Sequence, residues 1–313
     1  MGNASRILVT GGAGFIGSNL APLLIEKGYN VTVFDNLTSG KKENLSKIHD
    51  HPNYKFIHGD IRNKEALKEA LFRIDAVVHL AALIDVTASV ADPDLTHEVN
   101  VTGTLNVLQQ AIKNNVKKLL FASSTAVYGD VKTLPVKENT PLHPLSPYAA
   151  SKAAGEAYCQ AFTKCYGVQA TTLRFFNVYG PKNENSPYSG VITNFIHKAK
   201  HNQAFTVEGD GEQTRDFIYV SDIAKALTLT LETKELHSET FNVCTGVPTS
   251  INGLITALRK VTEKDLPVKH APARVGDIRF SYGDASKAAN KLGFKASVNL
   301  PEGLKLLLEA DEH

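Results

Sequence analysis

The sequence contains no tryptophan, a single methionine and only three cysteines. Cys159, Cys165 and Cys244 are spaced neither as a zinc site nor as a disulfide framework. Long apolar runs are missing too, because no stretch approaches the roughly 18–20 consecutive apolar residues that a membrane span needs. The first residues lack the anatomy of a signal peptide. These absences predict a reduced, cytoplasmic protein with no membrane partner.

Charge of one sign is not concentrated anywhere in the chain. Lys and Arg together number 34 and Asp and Glu 32, giving a formal net charge of +2. This balance gives no basis for binding nucleic acid. His197 and His201 are four residues apart, as in a helical metal pair, but the sequence supplies no third ligand, so no metal site is predicted.

A glycine-rich segment follows the first strand-like stretch, 6–10. Residues 10–17 read Thr-Gly-Gly-Ala-Gly-Phe-Ile-Gly, and a helical pattern to about residue 27, a strand at 31–34 and an acid follow them. This order is typical of a dinucleotide-binding unit. Gly11 permits the tight turn, Gly14 admits a pyrophosphate at the helix N-terminus, and Gly17 lets the helix approach the strand.

The acid that ends the second strand is Asp35. A carboxylate here is placed to accept the hydroxyls of an adenosine ribose and would repel a 2′-phosphate, so NAD is favoured over NADP. The alternative interpretation is that Asp35 caps the polar turn of residues 35–40.

Strands and helices continue to alternate beyond this unit. Predicted strands at 54–58, 76–80, 118–122 and 169–175 are separated by predicted helices at 64–72, 93–114 and 147–166. The repetition predicts an α/β fold with a doubly wound parallel sheet (Rossmann fold) and ligands beyond the carboxyl ends of its strands. Six candidate site residues come just after predicted strands: Gly11, Asp35, Asp60, Ala81, Ser124 and Asn177.

The regular alternation of predicted strands and helices ends after residue 178. A polar stretch at 182–190 precedes a predicted helix at 191–201, strands at 205–207 and 214–219, a helix from 221 and a closing helix at 301–312. We therefore predict an NAD-binding Rossmann domain at 1–178 and a smaller C-terminal α/β substrate lobe at 179–313. Segments near 215–230 and 241–246 are expected to pack back on the first domain.

Tyr148 and Lys152 lie four residues apart, one turn from each other on a helix. Ser146 and Pro147 fit the N-cap and first helical positions, so Tyr148 falls where the helix dipole favours an anion. The Lys152 cation favours the same anion, and the pair is therefore suited to make Tyr148 a base. In isolation the spacing also fits a surface tyrosine and a solvated lysine.

Together the motifs resemble the extended short-chain dehydrogenases/reductases, specifically the NAD-dependent nucleotide-sugar epimerases and dehydratases, and most of all the UDP-hexose 4-epimerases. The resemblance covers essentially the whole chain. The segments that carry it are 10–17, 60–62, 79–82, 100–104, 123–129, Tyr148 with Lys152, 174–181 and 215–220.

The resemblance implies catalytic roles for three residues. Tyr148 would take the proton of the sugar 4-hydroxyl while the C4 hydride passes to the nicotinamide. Lys152 would hydrogen-bond the nicotinamide ribose and lower the pKa of Tyr148, and Ser124 would hydrogen-bond the same sugar oxygen. Thr125 is the adjacent alternative to Ser124. A 4-epimerase then returns the hydride to the other face of the 4-keto sugar, so NAD stays bound throughout.

The resemblance also implies the binding residues. Those for NAD are Gly11, Gly14, Phe15, Ile16, Gly17, Asp35, Asn36, Asp60, Ile61, Leu80, Ala81, Ala82, Asn100, Tyr148, Lys152 and Phe175. Those for the UDP-sugar substrate are Ser124, Tyr148, Asn177, Val191, Arg215, Arg274, Asp277 and Ser281. Arginine suits the diphosphate through bidentate hydrogen bonds. Two helices of this family form a two-fold dimer contact, so we expect a homodimer through 93–114 and 147–166.

Two departures bear on the reaction and the substrate. The resemblance implies that a dehydratase of this family has Thr-Asp-Glu at these positions. This chain has Ser124, Thr125 and Ala126 there, so dehydration is disfavoured. Ser281 stands where a bulky tyrosine is thought to exclude N-acetyl sugars, which leaves room for UDP-GlcNAc and UDP-GalNAc. The alternatives are a UDP-glucuronate 4-epimerase or decarboxylase, another NAD-dependent nucleotide-sugar dehydratase or dehydrogenase, and a non-catalytic NAD-binding sensor. The preferred sugar, and the choice between UDP and dTDP, stay open.

Overall fold

The computed structural model describes residues 5–182, 190–236, 238–273 and 278–310. Its strands are β1 (Arg6–Thr10), β2 (Asn30–Asp35), β3 (Tyr54–His58), β4 (Ala76–His79), β5 (Lys118–Ser124), β6 (Gln169–Phe175), β7 (Asn177–Tyr179), β8 (Phe205–Glu208), β9 (Thr214–Arg215), β10 (Phe217–Tyr219), β11 (Thr240–Val243), β12 (Thr249–Ser250) and β13 (Val268–Ala271). Its α-helices are α1 (Phe15–Glu26), α2 (Lys64–Ala70), α3 (Val86–Ala91), α4 (Pro93–His97), α5 (Gly103–Lys113), α6 (Pro147–Tyr166), α7 (Val191–Lys200), α8 (Val220–Glu232), α9 (Ile251–Thr262), α10 (Ser286–Leu292) and α11 (Leu300–Ala310).

The central sheet confirms the predicted doubly wound parallel fold. Within the described residues it has seven strands in the order β11-β6-β5-β4-β1-β2-β3, and every neighbouring pair is parallel. The strand order reverses between β1 and β4, which is where a ligand crevice forms in such sheets. The carboxyl ends of these strands therefore define the site.

Helices cover both faces of this sheet. On one face α1 and α8 bury a cluster that includes Val9, Val33 and Leu120, each 0% exposed. On the other face α2, α5 and α6 cover Leu8, Val77 and Phe121. Parallel strands buried on both faces read as continuous apolar runs, which explains why their positions are so plain in the sequence.

Residues from the second half of the chain contribute to both units. β11 pairs with β6 and completes the sheet at its edge, and α8 packs against α1. A separate core joins α7, α9 and α11 around Phe195, Phe205 and Leu254. This smaller lobe stands beyond the carboxyl ends of the strands, and β7 and β10 pair at its junction with the sheet.

The predicted strand at 214–219 is wrong in one respect, because it is two short strands. β9 pairs with β12 and β10 with β7, and Asp216 interrupts them. The buried carboxylate of Asp216 accepts hydrogen bonds from the backbone and hydroxyl of Thr245 (2.8 and 2.6 Å) and the backbone of Gly246 (2.9 Å). The side chain of Asp216 thus satisfies backbone donors of the 245–246 segment, while its backbone oxygen accepts from Asn177 N (3.0 Å) at the start of β7.

The predicted helix at 93–114 also differs in detail. α4 and α5 are joined by a π-helical segment, Glu98–Thr102, and α3 precedes them. A π-helical turn inserts a residue and is frequent at functional sites. Here it carries Asn100 into the interior, 2% exposed. Across the described ranges, no helix is both long enough and apolar enough to cross a membrane.

Candidate active site

A cavity of about 1560 Å³ runs along the carboxyl ends of the central strands. The six residues predicted from their positions after strands all line it: Gly11, Asp35, Asp60, Ala81, Ser124 and Asn177. Its volume exceeds the roughly 300–1,000 Å³ of a common ligand pocket, which leaves room for two ligands side by side. Among the described residues, no cluster of three or more His, Cys, Asp or Glu side chains is arranged for a metal.

The glycine turn between β1 and α1 fits a dinucleotide closely. Gly11 has φ of +68°, and a Cβ there would lie 2.7 Å from the backbone nitrogen of Ala81. At Gly17 a Cβ would lie 2.4 Å from the Cα of Gly12. Gly14 is the N-cap of α1 and lines the cavity with Phe15 and Ile16, so the positive end of the helix dipole faces the cavity, as a bound pyrophosphate would require.

Asp35 is fixed at the end of β2 and lines the same cavity. Its carboxylate accepts hydrogen bonds from the backbone of Ala13 (2.9 Å) and Leu37 (2.8 Å). Burial raises the pKa of Asp35, and these two hydrogen bonds oppose the rise. The carboxylate is thereby held at the edge of the glycine turn, where ribose hydroxyls are recognised in such folds.

Asp60 forms the next wall of the cavity, after β3. Its carboxylate accepts hydrogen bonds from Arg62 Nε (3.0 Å) and Nη2 (2.9 Å) and from Asn36 Nδ2 (2.9 Å). The guanidinium is the main reason that the pKa of Asp60 is lowered to about 2. Asp60 is therefore an ionised acceptor at neutral pH. Asn36 and Ile61 line the cavity beside it.

Tyr148 lies in the first turn of α6 and is buried, with its side chain toward the cavity. The helix begins as predicted: Ser146 Oγ accepts a hydrogen bond from Ala149 N (3.1 Å), and Pro147 is the first helical residue. Burial raises the pKa of Tyr148, and a hydrogen bond with Ser124 lowers it. In the protein by itself the phenol is thus neutral, and it needs added positive charge to act as a base.

Lys152 supplies one such charge, one helical turn further on. Its Nζ donates to the backbone oxygen of Ala122 (2.9 Å) and stands 6.0 Å from the centroid of the Tyr148 ring. Burial lowers the pKa of Lys152 to about 8, and Glu156 and Cys159 oppose the fall. The ammonium form still predominates at neutral pH. The structure therefore brings Ser124, Tyr148 and Lys152 together beside the dinucleotide cradle.

His79 supports this wall from behind. Thr104 Oγ1 donates to the backbone oxygen of Asn100 (2.6 Å), so it accepts from His79 Nε2 (3.0 Å). His79 Nδ1 then accepts from the hydroxyl of Thr10 (2.7 Å). Burial lowers the pKa of His79 to about 3. The imidazole is a neutral link between β1, β4 and α5.

Two predicted binding residues are not among the described residues that line the cavity. The side-chain oxygen of Asn100 accepts a hydrogen bond from Leu83 N (2.8 Å). Its side-chain nitrogen donates to Leu83 O (2.8 Å) and to Ser151 Oγ (2.9 Å), so Asn100 stabilises the wall behind the site. Val191 begins α7 and packs against the core of the smaller lobe. Direct contact of either residue with a ligand stays a prediction.

The remaining substrate residues divide into two groups. Asn177, Arg215 and Ser281 line the cavity, and Arg215 Nη1 donates to the backbone of Thr214 (2.8 Å) and Ile278 (2.7 Å). Arg274 and Asp277 lie outside the described residues. The predicted NAD residues that line the cavity are Gly11, Gly14, Phe15, Ile16, Gly17, Asp35, Asn36, Asp60, Ile61, Leu80, Ala81, Ala82, Tyr148, Lys152 and Phe175.

The glycine turn after β1, the carboxylate of Asp35 at the end of β2 and the tyrosine–lysine pair on α6 line one cavity, as in a nucleotide-dependent short-chain dehydrogenase/reductase. The chain belongs to the NAD dependent epimerase/dehydratase family, whose model matches residues 7–244. NAD is therefore its cofactor, and the cradle fits it.

Relatives with established names are similar along the whole chain. The chain is 36% identical to the UDP-glucose 4-epimerase of Mycolicibacterium smegmatis over 307 residues, 97% of each protein. It superposes with a TM-score of 0.94 on the UDP-N-acetylglucosamine 4-epimerase of Methanobrevibacter ruminantium M1, solved with UDP-N-acetylmuramic acid (40% identity, 99% of each chain). The TM-score is 0.90 for the UDP-glucose 4-epimerase of Thermus thermophilus solved with NAD (37% identity, 98% of this chain and 99% of that one). Other relatives are named as a UDP-glucuronate 4-epimerase and a UDP-N-acetyl-alpha-D-glucosaminuronate decarboxylase.

Proposed function

We propose that this protein is a UDP-hexose 4-epimerase that interconverts UDP-glucose and UDP-galactose and also admits their N-acetyl forms. One observation carries the proposal. Ser124, Tyr148 and Lys152 face the same cavity as the glycine cradle and Asp35. A sugar carbon and a nicotinamide ring can thus occupy one enclosed space, which oxidation and reduction at C4 require.

The side chains divide the chemistry among themselves. NAD, when bound, would supply the acceptor for the C4 hydride and the positive charge of its oxidised nicotinamide ring. The phenolic oxygen of Tyr148 accepts the proton of the sugar 4-hydroxyl and later returns it. Ser124, whose hydroxyl interacts with the Tyr148 phenol, aligns that sugar hydroxyl by hydrogen-bonding the same oxygen. The Lys152 ammonium stabilises the phenolate form of Tyr148.

The composition of the site argues against the related eliminations. Thr125 and Ala126 line the cavity where a dehydratase needs carboxylates, and neither is ionisable. Removal of water from a 4-keto sugar calls for a general acid and base at that point. Epimerisation needs no second acid–base group, because Tyr148 takes the proton of the 4-hydroxyl and returns it.

Ser281 supports the inclusion of N-acetyl sugars. Its small side chain lines the cavity, and its backbone nitrogen is fixed to the oxygen of Thr214 (3.2 Å). A serine here leaves a volume that a tyrosine ring would fill. The same site can therefore admit UDP-sugars with either a hydroxyl or an N-acetyl group.

The proposal is tested by supplying purified protein with UDP-galactose, UDP-GalNAc and UDP-galacturonate, without added NAD. Appearance of the gluco epimers of the first two sugars is the expected result. Release of reduced dinucleotide in proportion to sugar consumed would show a dehydrogenase instead. Turnover of the uronate alone, with or without loss of carbon dioxide, would favour the uronate epimerase or decarboxylase, and binding of NAD without turnover of any sugar would favour a sensor.

We also propose that the protein is a homodimer through residues 93–114 and 147–166, which form α4, the π-helical segment, α5 and α6. Leu95 on α4 is 39% exposed, and Tyr158 and Tyr166 on α6 are 36% and 62% exposed. Apolar side chains grouped on two adjacent helices suit a two-fold contact. Light scattering should give twice the 33.9 kDa chain mass, and Tyr158→Glu with Tyr166→Glu should give the chain mass.

A further inference from the structure

A buried ion pair lies directly behind the Tyr148–Lys152 helix. Glu156 and Arg174 are 2% and 4% exposed. Arg174 donates twice to the carboxylate, from Nε to Oε1 (2.9 Å) and from Nη2 to Oε2 (2.6 Å). Such a fork fixes both the distance and the orientation of its partners. The pair therefore locks α6 onto β6 in a single arrangement.

The same carboxylate reaches the strand that carries Ser124. Glu156 accepts a hydrogen bond from the hydroxyl of Ser123, the neighbour of Ser124 on β5. Ser123 and Arg174 are register partners in the parallel β5–β6 pair, so their side chains emerge on the same face. Glu156 thus connects two strands and one helix at the level of the active site.

The guanidinium extends the network to the loop beneath the site. Arg174 Nη1 donates to the Tyr128 hydroxyl (2.8 Å) and to the backbone oxygen of Glu138 (3.1 Å). Tyr128 in turn donates to Asn242 Oδ1 (2.6 Å) on β11. Tyr128 belongs to the short helix, Thr125–Tyr128, that follows Ser124. Every segment that holds a catalytic group is tied to this one ion pair.

We propose that Glu156 and Arg174 are positioning residues that set the register of α6 against β5, so that Tyr148 and Lys152 meet Ser124. Tyr148, Lys152 and Glu156 occupy successive turns of one helix face. A shift of that face moves both catalytic groups together. The inference rests on the proposed epimerase function of the same site.

Glu156 has a second effect, because it is the anion nearest to Lys152 along the helix. The titratable groups that interact with Lys152 are Glu156 and Cys159 on α6 and His79 on β4, and the Tyr148 ring centroid lies 6.0 Å from its Nζ. His79 is neutral, and Arg174 is engaged by Glu156. Glu156 opposes the loss of the Lys152 proton. Without that charge, Lys152 gives up its proton at lower pH.

The test compares Glu156→Gln with the double variant Glu156→Leu, Arg174→Met. The first keeps the shape of the side chain but leaves a buried guanidinium without its counter-ion. The second removes both charges, and apolar replacement of a buried ion pair commonly restores stability. Asp222→Asn is the matched control, because Asp222 is a buried carboxylate (1% exposed) that accepts from Ser297 and Val298 outside the cavity.

The kinetic prediction separates positioning from stability. For both Glu156 variants kcat should fall roughly 10- to 100-fold with KM within about threefold, because a displacement of about 1 Å has effects of this size while the substrate grip is untouched. The double variant should regain resistance to urea without regaining kcat. Recovery of wild-type kcat in the stable double variant, or an equal loss of kcat in Asp222→Asn, would overturn the proposal.

A second readout does not depend on turnover. Urea unfolding is followed against pH for the wild type, Lys152→Met, Glu156→Gln and the combination of the two. The contribution of Lys152 is the difference in free energy of unfolding between the proteins with Lys152 and with Met at that position. This difference should begin to rise at a lower pH when Glu156 is replaced by Gln. An unchanged onset would exclude the electrostatic role. An unchanged onset together with an unchanged kcat would refute the inference even if the sugar substrate were different from the one proposed.

Discussion

Lys152 Nζ donates a 2.9 Å hydrogen bond to the backbone oxygen of Ala122, two residues before Ser124 on β5. The ammonium is thus held by the very strand that presents the serine hydroxyl to Tyr148. Because the contact is buried, the charge state of Lys152 is coupled to folding, and this can be measured.

Lys152 should make stability rise with pH above about 8. Its pKa is lowered from 10.5 to about 8 in the folded protein, so between these values the unfolded chain binds the extra proton. The contribution then increases by at most about 1.4 kcal/mol per pH unit. Nucleotide-free Lys152→Met should be more stable than the wild type below pH 8, and its advantage should shrink toward pH 10.5. Urea unfolding of both proteins measures this, with the exposed Lys164→Met as control. A pH-independent advantage would contradict it.

Tyr148→Phe should abolish nearly all turnover while leaving the cofactor in place. The substitution removes only the hydroxyl, so the ring still fills its buried position. General acid–base groups contribute roughly 10²–10⁴-fold, and kcat should fall by that factor. NAD content and urea resistance should be unchanged. Tyr158→Phe, on the exposed side of the same helix, is the matched control, and kcat near the wild-type value in Tyr148→Phe would disprove the assigned role.

Gly17→Ala should disrupt the dinucleotide cradle. A Cβ at this position would lie 2.4 Å from the Cα of Gly12 and 2.6 Å from the backbone oxygen of Gly11. Backbone atoms cannot rotate away, so the turn must move, at a cost of about 1–3 kcal/mol. We expect a lower urea midpoint and loss of bound NAD. Gly190→Ala adds a Cβ that has no atom of the described residues within 4 Å and should change neither quantity.

Ser281→Tyr should narrow the choice of sugar. The added ring would occupy the space that the serine leaves at the cavity wall. The ratio of kcat/KM for UDP-GalNAc to that for UDP-galactose should fall roughly 10- to 200-fold, the range expected of a steric pocket. Ser281→Ala should keep the original ratio. If both sugars lost activity equally in Ser281→Tyr, the residue would not be a selectivity determinant.

Contiguous patterns made most of the site predictable. The glycine turn, Asp35 and the Tyr148–Lys152 spacing are each read within a few residues, and strand ends in a parallel sheet converge by geometry alone. The cavity accordingly includes Ser124, which lies far from the glycine turn in the chain. Knowledge of strand order was not required to expect this.

Features that depend on contacts between separate elements were harder to predict from the sequence. The π-helical segment has no simple periodic signal, so the inward placement of Asn100 was not predicted. The break at Asp216 depends on donors near residues 245 and 283. Glu156 could have been noticed as the next turn after Tyr148 and Lys152, but its partner Arg174 lies on a strand, and only the folded register of β5 and β6 unites them.

The position of β11 at the edge of the sheet has a consequence for synthesis of the chain. Until residue 243 has left the ribosome, β6 has no neighbour on its outer side, and an unpaired edge strand invites association with other chains. At about 5–20 residues per second, this exposed interval lasts several seconds. The central sheet is therefore completed only after much of the smaller lobe has been made, so the sheet and the lobe mature together rather than in succession.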